Sequence, residues 1–315
     1  MHRVTATDLL LAADVGGTSA RIAVAARDED PGPVVGPGAN IRSSGPSALA
    51  ALGPTIRAAL DGRDPTRISR AVIALAGAGP ARHQQILDEL RAILGEIGLP
   101  GERLVLVDDL TAAFASGGVG ADGLLLLAGT GAAAARFEAG HLVDRVDGMG
   151  WVLGDIGSGV WIGHRVLTAV AADIDRRGPR TVLTDLLGAE LGLDLRDAAA
   201  SRTGDPRQDL IAAIDELSPA QWGRFAPLPA RALPDPVAAQ ILDETVDALT
   251  STITALDAGG ALPVVLAGSV ACADGPVRTA LEQRLAEAGG RRIAIAGSGL
   301  AGAWTLARDA DEPPC

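Results

Sequence analysis

The feature that most constrains the fold is a pattern that occurs twice: a buried strand, a glycine turn and a second strand. The first copy spans Leu9–Ala26 around Asp14–Thr18, and the second spans Gly123–Glu138 around Gly129–Gly131. Short apolar runs joined by glycine turns are typical of β-hairpins. Alternating helical and strand patterns follow each hairpin, so the sequence predicts a duplicated α/β unit.

Hydrophobic periodicity assigns the other elements, and Gly117-Gly118 marks a boundary between two lobes. A Gly-, Pro- and Ser-rich stretch at 36–47 is predicted to be a loop, and residues 178–235 are too interrupted by proline to assign. The predicted strands are 9–13, 21–26, 71–75, 104–107, 123–128, 132–138, 264–266 and 293–295, and the predicted helices are 47–60, 81–94, 110–116, 160–176, 237–256 and 298–307.

Composition excludes several classes of function. The chain has no lysine, and all 27 of its Lys or Arg residues are arginine. P-loop nucleotide hydrolases, protein kinases and Schiff-base enzymes each need a specific lysine, so these classes are excluded. The formal net charge of -12 argues against a nucleic acid as the main partner, because phosphate backbones attract clustered cations.

The cysteines and the apolar runs bear on cellular location. Cys272 and Cys315 lie far apart in the sequence, so no disulfide framework or cysteine zinc site forms within one chain. No apolar run reaches about 18 residues without a charge, and residues 1–8 lack a secretory signal pattern. We therefore expect a cytoplasmic protein with no membrane span.

Both glycine turns are candidate phosphate-binding segments. Glycine lets backbone N–H groups approach phosphate oxygens, and Thr18 and Thr130 add hydroxyl donors. Asp14, at the end of a buried strand, could hold Mg²⁺ through water. The alternative is that both segments are ordinary hairpin turns. Two such turns, one in each half, favour a pair of cradles that grip one triphosphate.

Asp108 and Asp109 follow a buried strand and begin a helix. One of them could simply be the N-cap of that helix. The functional alternative is a general base, which accepts the proton of a substrate hydroxyl that attacks a γ-phosphate.

Two further glycine-containing segments are candidates for ligand binding. Residues 148–159 place several glycines around Trp151 and Asp155, which suits a sugar ring and its hydroxyls; the alternative is a connector whose Trp lies in the core. Ala267–Val270 follows a buried strand and could pack against adenine, although a plain β–α turn is the better explanation of this segment taken by itself.

These motifs together resemble the sugar-kinase branch of the actin, hexokinase and chaperone ATPase superfamily, and more narrowly the BadF/BadG-type ATPase family with its N-acetylglucosamine kinase members. The resemblance covers about 10–160 and 236–308. It implies two RNase H-like α/β lobes with a cleft between them: residues 1–116, on which a closing helix at about 297–310 packs back, and residues 117–296.

The resemblance also implies an ATP-dependent amino-sugar kinase that uses Mg²⁺ and phosphorylates N-acetylglucosamine at the 6-hydroxyl; by family analogy the enzyme is a homodimer. Asp109 is then the general base. The implied sugar contacts are Asn40, Asp109, Gly150, Trp151 and Asp155, and the implied nucleotide contacts are Asp14, Gly16, Gly17, Thr18, Gly129, Thr130, Gly131, Gly268 and Ser269, with Asp14 on the metal.

One departure and two alternatives stand beside this interpretation. Residues 132–134 are all alanine where the family has polar side chains, which removes donors near the phosphate or the sugar. The loop at 38–41 and the segment at 222–227 look similar to glucosamine kinases, so glucosamine is the alternative substrate. The alternative of another class is an ATPase that activates a partner reductase through a shared iron–sulfur cluster, for which neither cysteine is suitably placed.

Overall fold

The computed structural model describes residues 8–29, 32–39, 45–79, 82–287 and 289–309. The described chain divides into two compact units. One holds the residues up to 121 together with those from 296 onward, and the other holds residues 122–295. Each unit contains a five-stranded sheet. Within the described ranges, no helix is both long enough and apolar enough to span a bilayer.

The elements are numbered in chain order. The strands are β1 (Leu9–Val15), β2 (Ser19–Ala26), β3 (Val34–Pro37), β4 (Ile68–Leu75), β5 (Leu104–Asp108), β6 (Gly123–Ala128), β7 (Ala132–Glu138), β8 (His141–Asp147), β9 (Val264–Ala267) and β10 (Ile293–Ile295). The helices are α1 (Leu52–Leu60), α2 (His83–Ile97), α3 (Asp109–Ser116), α4 (Gly159–Ile174), α5 (Leu183–Leu191), α6 (Pro206–Asp215), α7 (Leu228–Ala232), α8 (Pro236–Leu256), α9 (Ser269–Cys272), α10 (Pro276–Glu287) and α11 (Gly299–Arg308).

The two sheets have the same topology. The first has the strand order β3-β2-β1-β4-β5, and the second has the order β8-β7-β6-β9-β10. In each sheet the three strands of the opening meander are antiparallel, whereas the last two strands run parallel to the first. This order is that of an RNase H-like lobe, so the predicted duplication and the predicted fold class are confirmed.

The first sheet is buried on both faces. Successive side chains of a strand point to opposite faces, so each strand contributes apolar residues to two cores. Leu11 and Ala13 point to the face that α1 and α2 cover. Leu10 and Ala12 point to the opposite face, where Trp304 of α11 packs. Helix α11 lies so close to α3 that a Cβ on Gly302 would overlap the carbonyl of Ala112. A glycine is therefore required at this crossing.

The second unit has a helical layer that the sequence alone did not reveal. Helix α8 packs its apolar side on β6, β7 and β9 together with α10. Helices α4 to α7 and the start of α8 form a separate core around Phe225, which is fully buried. The segment 178–235, which could not be assigned from its sequence, thus folds as a helical cluster against α4.

Asp235 ties this cluster to the long helix α8. Its carboxylate caps α8 by accepting hydrogen bonds from the backbone N–H groups of Val237 and Ala238, both at 3.0 Å. It also accepts from the Thr181 hydroxyl at 3.0 Å and from the Val182 N–H at 2.9 Å. Burial alone raises the pKa of Asp235, but these donors outweigh burial and hold its pKa below the ordinary range.

Three local expectations differ from the structure. Gly36 and Pro37 belong to strand β3 rather than to a loop, because Val34–Pro37 pairs with β2. Strand β8 and helix α10 had no counterpart among the predicted elements. Strand β8 is an exposed edge with charged residues on both faces, and α10 buries only Leu281 and Leu285. Neither element carries the apolar periodicity from which secondary structure is read.

We expect Asp235→Ala to lower the free energy of unfolding by about 2–4 kcal/mol, because the buried donors around it lose their acceptor. Chemical denaturation monitored by circular dichroism measures the change. The control is Asp64→Ala, which removes the cap of the exposed turn Pro65–Arg67 and should cost clearly less. Equal losses for the two variants would contradict the role assigned to Asp235.

Candidate active site

Two carboxylates of the first unit lie at one edge of its sheet. In the strand register, Val15 pairs with Leu75, and Leu75 pairs with Asp108. All three strands are parallel, so their carboxyl ends meet at the same edge. Two strand spacings separate the main chains of β1 and β5 by about 10 Å. Asp14 and Asp109, each within one residue of these ends, are therefore brought to the same edge.

Asp14 lies in a partly buried position against the first turn of α11. A Cβ on Gly299 would lie 2.6 Å from the Asp14 carboxyl carbon, so only glycine leaves room for the carboxylate there. Burial raises the pKa of Asp14, and the Arg21 guanidinium, 3.9 Å away, opposes this by lowering it. Burial thus disfavours the charged form of Asp14, and a cation bound beside it would stabilise that form.

The first glycine turn is closed by backbone contacts. Gly16 N–H donates to the carbonyl of Ser19 at 3.0 Å, and Ala39 N–H donates to the carbonyl of Gly16 at 3.0 Å. A Cβ on Gly38 would overlap the Gly16 carbonyl oxygen, so the chain after β3 lies directly on the turn. Gly17 and Thr18 remain exposed at its tip. Asn40, the predicted sugar contact two residues beyond Gly38, lies outside the described residues.

Asp108 and Asp109 occupy different positions at the start of α3, so they can have different roles. Asp108 is the N-cap: its carboxylate accepts a hydrogen bond from the Thr111 N–H at 2.7 Å. Asp109 is the first residue of the helix and is exposed. The capping function, which was the alternative explanation for this pair, therefore belongs to Asp108.

In the second unit the other glycine turn is packed between two glycine segments. Gly129 N–H donates to the Gly131 carbonyl at 2.9 Å and closes the turn, whose tip exposes Thr130. The N–H of Gly159, at the start of α4, donates to the Gly129 carbonyl at 2.7 Å. Gly268 has a φ of 87°, and a Cβ there would overlap the Ala128 carbonyl. Gly129, Thr130, Gly131 and Gly268 are thus brought together, next to Ser269.

A cavity of about 570 Å³ opens beside this turn. Its volume is in the range of small-molecule and cofactor sites. Gly129, Thr130 and Ser269 line one part of it. Apolar side chains, two arginines and a short stretch after α9 line the rest, among them Ile162, Val270, Arg224, Arg231 and Pro276. A nucleotide fits this chemistry, because the backbone turn suits phosphates and the apolar walls suit a base.

The glycine-rich loop between β8 and α4 presents Trp151 and Asp155. A Cβ on Gly131 would lie 3.0 Å from an oxygen of the Asp155 carboxylate, so this side chain lies against the second glycine turn. Trp151 is 52% exposed, which excludes the alternative that it is a core residue. Its ring meets Trp222 edge-on at 5.5 Å, and Trp222 stacks on His164 at 5.6 Å.

Three contributions to these sites were not found from the sequence. Asp147 binds the loop that carries Asp155, Gly299 makes room for Asp14, and Trp222 contacts Trp151. The Asp147-Gly148 pair is a turn signal that could have drawn attention to the first of these. The other two depend on contacts between distant segments: Gly299 has no local signal, and the likeness of the segment at 222–227 to glucosamine kinases did not reveal that Trp222 contacts Trp151.

The metal-binding capacity of the described residues is limited. They contain no group of three or more His, Cys, Asp or Glu side chains that could hold a metal ion. Mg²⁺ takes few protein carboxylates and keeps several waters. Asp14, a single partly buried carboxylate beside a glycine turn, fits this requirement.

The comparison with known families identifies the class of protein. The chain matches the BadF/BadG/BcrA/BcrD ATPase family over residues 13–303, and it belongs to that family. The resemblance that the motifs indicated is confirmed.

Two curated relatives each match about a third of the chain. The N-acetylmuramic acid/N-acetylglucosamine kinase of Clostridium acetobutylicum is 31% identical over 112 residues, which are 35% of this chain and 35% of the relative. The N-acetyl-D-glucosamine kinase of Dictyostelium discoideum is 34% identical over 97 residues, 31% of this chain and 30% of the relative. The matched region thus spans about one third of the length of these relatives.

Solved structures cover nearly the whole chain. A Chromobacterium violaceum protein, provisionally assigned as an N-acetylglucosamine kinase, is 26% identical, with a TM-score of 0.70 over 96% of this chain and 99% of its own. A Porphyromonas gingivalis protein with the same provisional assignment is 20% identical, with a TM-score of 0.68 over 95% and 99%. A ROK family glucokinase from Streptomyces griseus is 18% identical, with a TM-score of 0.52 over 96% and 100%. The last two show the fold alone.

We expect Asp14→Asn to raise the melting temperature by roughly 1–2 °C at about pH 7 without divalent metal. A raised pKa means that folding disfavours the charged carboxylate, and this cost is fully present above the folded pKa. Below the unfolded pKa of about 3.9 both states are protonated, so the gain should shrink as the pH falls toward about 4.

Thermal melts in a chelator across this pH range make the measurement. The control is Asp28→Asn, an exposed aspartate of the same unit. A melting temperature for Asp14→Asn that stays at or below that of the unsubstituted protein at every pH would show that burial does not strain this carboxylate.

Proposed function

We propose that the protein is an ATP-dependent kinase that phosphorylates N-acetylglucosamine at its 6-hydroxyl. The observation that carries the proposal is the exposed Asp109 at the start of α3, on the sheet edge that also holds Asp14 and the first glycine turn. The family and the kinases among its relatives support the phosphoryl-transfer chemistry. The amino sugar is inferred from what those relatives act on.

Asp109 is the proposed general base. In phosphoryl transfer the substrate hydroxyl attacks the γ-phosphorus, the bond to the β–γ bridging oxygen breaks and ADP leaves. The hydroxyl proton passes to the Asp109 carboxylate as the new bond forms. Asp108 supports this step by capping α3, because the cap fixes the first turn of the helix on which Asp109 stands.

Each glycine turn is proposed to bind phosphate oxygens through its own backbone N–H groups. Gly16–Thr18 and Gly129–Gly131 each present a tight turn with a threonine at the exposed tip. Backbone donors held in this way stabilise developing negative charge without reorganising during the reaction. Mg²⁺, held through water by Asp14, would supply charge neutralisation at the phosphates. The purine would occupy the 570 Å³ cavity beside Gly268 and Ser269.

The sugar is proposed to bind to the glycine-rich loop. The exposed ring of Trp151 offers an apolar face to the pyranose, and the Asp155 carboxylate can accept hydrogen bonds from two hydroxyls. Gly150, with a φ of 85°, lets the main chain turn sharply just before Trp151. Asn40 is proposed as a further contact. None of these groups is a cation, as expected for a neutral sugar.

We expect Asp109→Asn to lower kcat by about 10²–10⁴-fold, because an amide cannot accept the proton. The KM for ATP should stay within about twofold, since the change leaves the nucleotide contacts in place. A coupled assay of ADP formation measures both constants. The matched control is Asp108→Asn, because asparagine caps a helix as well as aspartate does, so this variant should keep near-normal turnover. Undiminished turnover in Asp109→Asn would remove it from the base role.

The substrate is tested with the same assay on a panel of sugars. N-acetylglucosamine should give the highest kcat/KM, with glucosamine and glucose well below it. Preference for glucosamine would replace the substrate and keep the kinase. A purified protein that hydrolyses ATP, phosphorylates no sugar and carries bound iron would instead favour an activator of a partner reductase.

A further inference from the structure

Asp147 closes the glycine-rich loop into a ring. It is the last residue of β8, and its Oδ1 accepts a hydrogen bond from the Asp155 N–H at 2.7 Å. Its Oδ2 accepts a second one from the Ile156 N–H at 3.0 Å. The loop therefore leaves and returns to one carboxylate, with Trp151 between its two ends.

The backbone at both ends of the ring has an unusual conformation. Asp147 has a φ of 65° and Asp155 a φ of 55°, both in the left-handed region that side chains other than glycine rarely occupy. Such residues cost free energy unless their surroundings hold them in place. Hydrogen bonds to a charged acceptor are the stronger kind, and here two of them offset that cost.

Gly154 is the residue that lets the carboxylate lie across the loop. A Cβ at this position would overlap the Oδ1 of Asp147. The backbone beyond it is fixed as well, because Ser158 N–H donates to the Asp155 carbonyl at 3.1 Å. Asp155 is thus held through its N–H by Asp147 and through its carbonyl by the residue that caps α4.

We propose that Asp147 is a positioning residue for the sugar site: it fixes the main chain of Asp155 so that the Asp155 carboxylate lies against Gly131, and it holds Trp151 exposed. This inference rests on the proposed function, since Asp155 and Trp151 are the proposed sugar contacts. Asp147 itself acts through backbone N–H groups and need not touch the sugar.

Loss of the Asp147 hydrogen bonds is expected to affect binding of the sugar and not binding of ATP. The described residues that line the nucleotide cavity come from the second glycine turn, from α4, from 220–242 and from 269–277. The ring between Asp147 and Ile156 contributes none of them. Loss of the ring should therefore weaken sugar binding and leave ATP binding nearly unchanged.

The test compares three substitutions of Asp147. In Asp147→Ala we expect the KM for N-acetylglucosamine to rise about tenfold or more, from the loss of two charge-assisted hydrogen bonds, with the KM for ATP within about twofold. Asp147→Asn keeps one acceptor oxygen and should recover part of the sugar affinity. Asp147→Gly relieves the left-handed conformation without restoring the bonds, so its sugar KM should match that of the alanine variant. The matched control is Asp144→Asn on the same strand.

A second measurement separates this inference from the proposed function. Amide hydrogen exchange should become faster in peptides that cover 148–158 of Asp147→Ala, whatever the substrate of the enzyme. If the unsubstituted protein phosphorylates no amino sugar, the proposed function fails, and the exchange result still tests the ring. Unchanged exchange in this segment, unchanged sugar KM, or an equal rise of the KM for sugar and for ATP would each overturn the role of Asp147.

Discussion

Both glycine turns depend on the same steric constraint: a glycine from another stretch of backbone packs on the turn so closely that a Cβ on this glycine would overlap the main chain. Gly38 lies on the carbonyl of Gly16 in the first unit, and Gly268 lies on the carbonyl of Ala128 in the second. Close backbone packing restrains both turns, while Gly17, Thr18 and Thr130 at their tips stay exposed. A phosphate site built from backbone needs such rigidity, because its donors cannot adjust by changing rotamer.

The two units share a topology but not the chemistry at the ends of their strands. In the first, β1 and β5 end near Asp14 and at Asp108, so that sheet edge is acidic. In the second, the equivalent strands end at Ala128 and Ile295, and the edge offers backbone and a cavity instead. Both units thus contain a glycine turn built from backbone, whereas the carboxylates at the ends of β1 and β5 belong to the first unit.

A feature of the fold or the site could be predicted where the residues that determine it are neighbours in the sequence. Strands β6 and β7 are predicted with their observed bounds, because buried apolar runs end abruptly at Gly129–Gly131. The helical cluster at 178–235 could not be predicted, because its helices are short and are stabilised by contacts with α4. For the site, Asp14 and the glycine turns follow from local motifs. The Asp147-Gly148 pair is a visible turn signal, but the acceptor role of Asp147 could not be predicted from it, since that role depends on a loop that returns to Asp147 eight residues later.

The tether at Asp147 also explains how the loop can expose large apolar side chains. Trp151 is 52% exposed and Leu153 is 73% exposed, in a segment whose glycines would otherwise let it fold inward and bury them. Glycine-rich chain has the most conformational entropy to lose, so an untethered loop would lose it each time a ligand binds. The two hydrogen bonds that the Asp147 carboxylate accepts offset this loss of conformational entropy when the protein folds. For the proposed sugar site, this means that the exposed indole is in place before the sugar binds, and such preorganisation raises affinity without adding a contact.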